Sequence, residues 1–174
     1  SNLIRDNMKI IHNRILPLPG FGLMNILGLV FSRKPEKEIT LVEKRHEQTH
    51  TLQQYELLMI GAVVSLALCN LYASWWYLLG VVAIPFAIYI ACFLVEMAIP
   101  PYHNLSFGFV KGEGLRVKCM RIWAVFVKIW MDAYHDNCFE REAYMNDHDR
   151  NYLATRRLCG MFYYIIPKKS RKDA

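Results

Sequence analysis

Five consecutive residues concentrate the chemistry of this chain: His46-Glu47-Gln48-Thr49-His50. Histidines four apart on a helix project from one face, a turn from each other. Two such imidazoles can occupy two corners of a tetrahedral Zn²⁺ site. Glu47, beside the first of them, can then reach the water that the metal polarises and act as its general base. A catalytic zinc keeps three protein ligands and one open position, so a further ligand has to come from elsewhere in the chain.

His103, His135, His148 and the carboxylates of the C-terminal third are the candidates for that place. The strongest segment is Asn137-Cys138-Phe139-Glu140-Arg141-Glu142-Ala143-Tyr144. Glu140 and Glu142 lie two apart on an expected helix, so only one of them can face a metal. Gln54, four beyond His50, is placed to line the cleft, with Gln53 beside it. Tyr134, His135 and Tyr144 are possible donors to the oxyanion of a substrate carbonyl.

The His46-to-His50 motif, with Glu140-Arg141-Glu142-Ala143 far downstream, resembles the gluzincin type of zinc metallopeptidase. There an HExxH helix is joined by a Glu from a later helix. Membrane members include the CAAX prenyl-protein proteases, their bacterial heat-shock relatives and the antirepressor-sensor peptidases. In the prenyl-protease type the third ligand stands in a Glu-x-x-Ala-Asp pattern, and this resemblance implies Glu140 as the ligand. The chain departs from the pattern at the next position, where Tyr144 stands in place of the Asp.

The elements that must hold these residues read as a membrane protein. From Leu57 to Val95 no Asp, Glu, Lys or Arg occurs, a stretch long enough for two spans and a tight turn. Residues 57–76 and 78–97 are the expected transmembrane helices, with Trp75, Trp76 and Tyr77 at the far interface. Thr40, with Glu43 three residues on, forms a capping box that starts the motif helix. That helix is expected to run straight into the first span. Pro100-Pro101 ends the return span.

Residues 15–31 are apolar but interrupted by Pro17, Pro19, Gly20, Gly22 and Gly28. A re-entrant loop, an interfacial segment or a β-hairpin packed over the site would each suit their later part, residues 21–31. Residues 115–133 alternate basic and apolar positions at helical spacing, as an interfacial helix does. Glu56 and Glu96, at the two ends of the hairpin, are expected to pair with cations of that helix. Residues 137–157 read as one or two soluble helices.

Lys and Arg number 21 against 15 Asp and Glu, and none occurs between Arg45 and Lys111. Cations flanking an uncharged hairpin follow the positive-inside rule, which puts the motif and both ends of the hairpin at the cytoplasmic face of the inner membrane. The charge distribution gives no nucleic-acid motif. Five cysteines without a CxxC pair argue against a disulfide framework. The polar first fourteen residues lack the apolar core of a cleavable signal.

The expectation is therefore a single membrane-embedded, mainly α domain over residues 1–174. It would carry a transmembrane hairpin, an interfacial helix and a zincin-like HExxH helix, with the bilayer as a partner. A zinc metallopeptidase acting on a membrane-proximal peptide is the leading functional expectation. A zinc-dependent lipid amide or ester hydrolase or acyltransferase is the second, and a non-catalytic membrane assembly or interaction protein the third.

Overall fold

The computed structural model describes residues 9–13, 15, 22–98 and 114–165. His103, the Pro100-Pro101 stop, most of the Pro/Gly-rich front of residues 15–31 and the basic tail lie outside them.

The chain is mainly helical, with a small sheet at one end. Strands β1 (Lys9–His12), β2 (Leu23–Ile26) and β3 (Leu29–Ser32) run in the spatial order β1-β3-β2. β1 lies parallel to β3, and β2 antiparallel to it. Of the three forms open to residues 21–31, the described part takes the β-hairpin. Its tip, Leu27-Gly28, has φ of 51° and 86°, and a two-residue type I′ turn needs positive φ at both central positions. Leucine rarely adopts that conformation. Here it is held from outside: Leu27 N–H donates to Gln54 Oε1 at 2.6 Å, and the Tyr55 hydroxyl donates to the Leu27 carbonyl at 3.1 Å.

Helix α1 (Leu41–Tyr72) begins with the expected capping box. Glu43 N–H donates to Thr40 Oγ1, and Thr40 N–H donates to the Glu43 carboxylate. At 32 residues the helix is about 48 Å long, more than the roughly 30 Å of a bilayer core. Its first half is polar, and its second half, from Leu57, is apolar. A 3-10 turn over Trp75–Leu79 leads into α2 (Gly80–Ala98).

The two helices pack through small residues, which allow close backbone approach. A Cβ added at Gly61 would lie 2.6 Å from the Val81 carbonyl oxygen, and one added at Gly80 would lie 2.6 Å from Ser65 Oγ. Pro85 stands one turn beyond Val81 in α2 and has no N–H to bond that carbonyl. Both helices are long and apolar enough to cross a membrane. Leu66, Val82, Phe86 and Leu94 remain more than half exposed along them.

Helix α3 (Leu115–His135) carries Arg116, Lys118, Arg121 and Lys128 among exposed Met120, Trp123 and Trp130. It ends at a sharp bend before α4 (Cys138–Asn146), which Asn137 caps by accepting from Phe139 N–H. A short α5 (Tyr152–Thr155) and a 3-10 turn over Gly160–Tyr164 follow. The core gathers Leu57 of α1, Cys138 and Phe139 of α4, and Met161.

One expectation is corrected here. Among the described residues, Glu56 and Glu96 are ion-paired with arginines outside α3. Arg156 forks onto Glu56, and Arg141 reaches Glu96 at 3.1 Å. Helix α4 and the segment after it fold back against the hairpin, which brings Arg141 and Arg156 to these two carboxylates. All five cysteines are free, as the absence of paired spacing implied.

Candidate metal centre

The first four turns of α1 and the start of α4 face each other across an open cleft of about 630 Å³. Strand β2 forms a third side, and Leu57, Tyr89 and Phe139 line the cleft towards the apolar half of the helices. His46 and His50 project into it from α1, and Glu140 meets them from α4. The two Nε2 atoms are 3.0 Å apart, and the Glu140 oxygens lie 3.3 Å from His46 and 3.4 Å from His50.

These separations have a simple reading. Charge-assisted N–H···O⁻ bonds close to about 2.7–2.9 Å. Ligand atoms held at roughly 2.0–2.1 Å by a tetrahedral cation stand roughly 3.3 Å from one another. The donor set thus fits a small divalent cation, and His46, His50 and Glu140 could hold one. Among the described residues no further His, Cys, Asp or Glu joins that group.

The electrostatics are those of a buried, acidic pocket. Burial pushes the Glu47 carboxyl above its ordinary range, against the pull of His50 and His46. Burial would raise Glu140 too, but hydrogen bonds from His46 and His50 hold it well below the usual carboxylate range. Burial opposes the charged form of His50, yet its contacts with Glu140 raise it to about 9 in the metal-free chain. Burial and the neighbouring Glu140 both raise Tyr134 and Tyr144.

The residues singled out from sequence divide clearly. His46, Glu47, His50, Glu140, Gln54, Tyr134, His135 and Tyr144 all line the cleft. The Tyr144 ring lies 4.5 Å from that of His46. His135 stacks edge-on to Tyr134 but stands outside the three-ligand group. Gln54 is committed to the β2-β3 hairpin, donating to the Asn25 carbonyl at 3.0 Å and accepting from Leu27. Glu142 does not join the histidines. Its carboxylate is fully buried behind them, held by Arg156, Tyr152 and Gln53. His148 is exposed and pairs with Asp147.

Two contributors, Asn25 and Arg156, were not legible from the motif, and a third, Gln53, was named only as standing beside Gln54. Asn25 of β2 donates to the Glu47 carbonyl and, at 2.8 Å, to Thr51 Oγ1, so the hairpin is tied to the motif helix at Glu47. Gln53 contacts His50 Nδ1 at 2.8 Å. Arg156 joins Glu56 to Glu142 beneath the site. Gln53 had a signal, since it is three residues beyond His50 and shares its face. Arg156, beside Arg157 in a charged run, had none.

No family model, curated protein or solved structure matches the chain.

Proposed function

We propose that the chain is a membrane-embedded zinc metallohydrolase that cuts a peptide bond at the cytoplasmic face of the inner membrane. The observation that carries this reading is the spacing of His46 Nε2, His50 Nε2 and Glu140 at 3.0–3.4 Å inside an open cleft. Imidazole and carboxylate donors suit zinc, and three protein ligands leave the open position of a catalytic site. A structural site would be closed by a fourth protein ligand, and among the described residues none joins the three.

When bound, the cation supplies a Lewis acid that polarises a carbonyl oxygen and makes water a nucleophile near neutral pH. The other duties fall to the chain. Glu47 takes the proton of the attacking water and passes it to the departing amine. Its raised pKa, from burial, suits both halves of that transfer. Tyr144, against the His46 ring, is placed to donate to a developing oxyanion. Among the described residues the cleft-lining strand β2 is an edge strand whose Asn25 carbonyl is taken by Gln54, so a peptide substrate would be held chiefly by the side chains lining the cleft.

One feature favours the second reading, a lipid amide or ester as substrate: the apolar side formed by Leu57, Tyr89 and Phe139, at the end of the cleft that reaches the membrane helices.

Metal analysis of the purified chain tests the core of the proposal. About one zinc per chain is expected, lost in the His46→Ala/His50→Ala double variant. Full zinc occupancy in that variant, or iron in place of zinc in the wild type, refutes it. Turnover of quenched fluorescent peptides, set against acyl amides and esters, then separates peptide from lipid.

A further inference from the structure

Gln53 is 2% exposed, and its carboxamide bridges α1 to α4. Its Nε2 donates to Glu142 Oε2 at 2.7 Å and to the Phe139 carbonyl at 3.0 Å, while Oε1 lies 2.8 Å from His50 Nδ1. A primary amide has one donor end and one acceptor end. Glu142 is itself fixed: Oε1 accepts Arg156 Nε at 2.7 Å and the Tyr152 hydroxyl at 2.6 Å, and Oε2 accepts Arg156 Nη2 at 3.1 Å. Clamped by a guanidinium, it offers Gln53 only acceptor oxygen. With two acceptors on the α4 side, Gln53 must turn its NH₂ that way and its oxygen towards His50. An acceptor at that place requires a proton on Nδ1. Nε2 of His50, which faces His46 and Glu140, is then the nitrogen left to bind a metal once its proton is displaced.

We propose that Glu142 and Gln53 form a positioning relay that sets the tautomer and ring orientation of His50 for metal binding. The relay rests on the metal-site reading above and extends it to two residues that never touch the metal. It also gives Glu142 a purpose. The carboxylate two residues from the ligand is buried on the opposite side of the helix start, where it orders the amide that orders the imidazole. Such outer partners of metal-bound histidines are worth 10- to 100-fold in affinity.

The test uses the full chain in lipid nanodiscs. Zinc affinity is measured by chelator competition for wild type, Gln53→Met, Glu142→Gln, the double variant and Glu56→Gln. Imidazole ¹⁵N spectra are recorded on the zinc-loaded wild type. Gln53→Met keeps the length of the side chain but cannot accept the Nδ1 proton. It should weaken zinc about 10- to 100-fold. Glu142→Gln should weaken it too, and the double variant should lose little more than the worse single one. Glu56→Gln perturbs the same Arg156 cluster without touching Gln53, and should bind zinc within about twofold of wild type. The spectra should show His50 protonated at Nδ1 and metallated at Nε2.

Wild-type affinity in Gln53→Met, additive losses in the double variant, an equal loss in Glu56→Gln, or metal on His50 Nδ1 each overturns the relay while leaving the metal site standing. A wild type that takes up no zinc overturns both.

Discussion

At the scale of single residues, the proposed function divides holding a metal, by His46, His50 and Glu140, from moving a proton, by Glu47. Glu47→Gln keeps size and hydrogen-bonding reach but cannot take a proton at neutral pH. It should retain zinc at wild-type stoichiometry and lose at least about 100-fold in turnover of any substrate found. Glu140→Ala should instead weaken zinc binding, and zinc held as tightly as in wild type would remove Glu140 from the ligand set. Protonation gives a second check. His50 is raised to about 9 in the metal-free chain, by Glu140 against the cost of burial, so at pH 7 it carries a proton that zinc must displace. Glu140, held below its usual range, brings none. Apparent zinc affinity should therefore rise about tenfold per pH unit from pH 6 to 8 and flatten above about 9. A pH-independent affinity would mean that no proton on His50 is displaced by metal. The motif itself, His46 to His50, was plain in the sequence, because helix periodicity alone puts its side chains together. The choice between Glu140 and Glu142 was not. It depends on how α4 turns against α1, and that is decided by Arg156 and Tyr152, which compete for one of the two carboxylates.

At the scale of elements, small residues decide how α1 meets α2. Gly61 lies against the Val81 carbonyl, which Pro85 leaves without a helical partner. Gly61→Leu should push the helices apart and lower stability by about 1–3 kcal/mol, as overpacking does. Thermal unfolding in detergent measures this, and an unchanged midpoint would show that the close approach is not needed. The hairpin over the site depends on α1 in the same way. Gln54→Ala removes this side chain's two hydrogen bonds, to Asn25 and Leu27, and should raise proteolytic nicking at Leu27-Gly28. Much of this layer was legible. The capping box at Thr40, the charge-free run from Leu57 and the Trp75-Trp76 turn each follow from local chemistry. The β-hairpin remained one of three possibilities, since its Leu27 turn is uphill for leucine and is fixed only by side chains of another element. The partners of Glu56 and Glu96 escaped for a similar reason: contacts about 100 and 45 residues distant leave no periodic trace.

At the scale of the molecule, charge and exposure are arranged along one axis. The cleft, the sheet and α4 gather at one end of the α1–α2 pair, and exposed Trp75 and Trp76 stand at the other. Between them run apolar faces that no part of the described chain covers, an arrangement that suits hydrocarbon better than water. No Lys or Arg occurs from residue 46 to residue 110, so the turn at Ser74 carries no cation to hold it in the cytoplasm. The opposite end holds Arg45, Arg141 and Arg156, in contact with His148, Glu96 and Glu56, and Arg150 follows two residues after His148. If α1 and α2 cross the bilayer as a hairpin, Ser74 and Arg150 lie on opposite sides of it. The experiment needs a chain whose five cysteines have been replaced, into which Ser74→Cys or Arg150→Cys is introduced singly. A membrane-impermeant maleimide should label position 74 in right-side-out vesicles and position 150 only in inverted ones. Labelling of both from the same side would refute the hairpin. Labelling of each from the side opposite to that expected would keep the hairpin and move the metal centre outside the cell. The substrates to be tried would then be those of the outer surface, whereas the ligand set of His46, His50 and Glu140 would be unaffected.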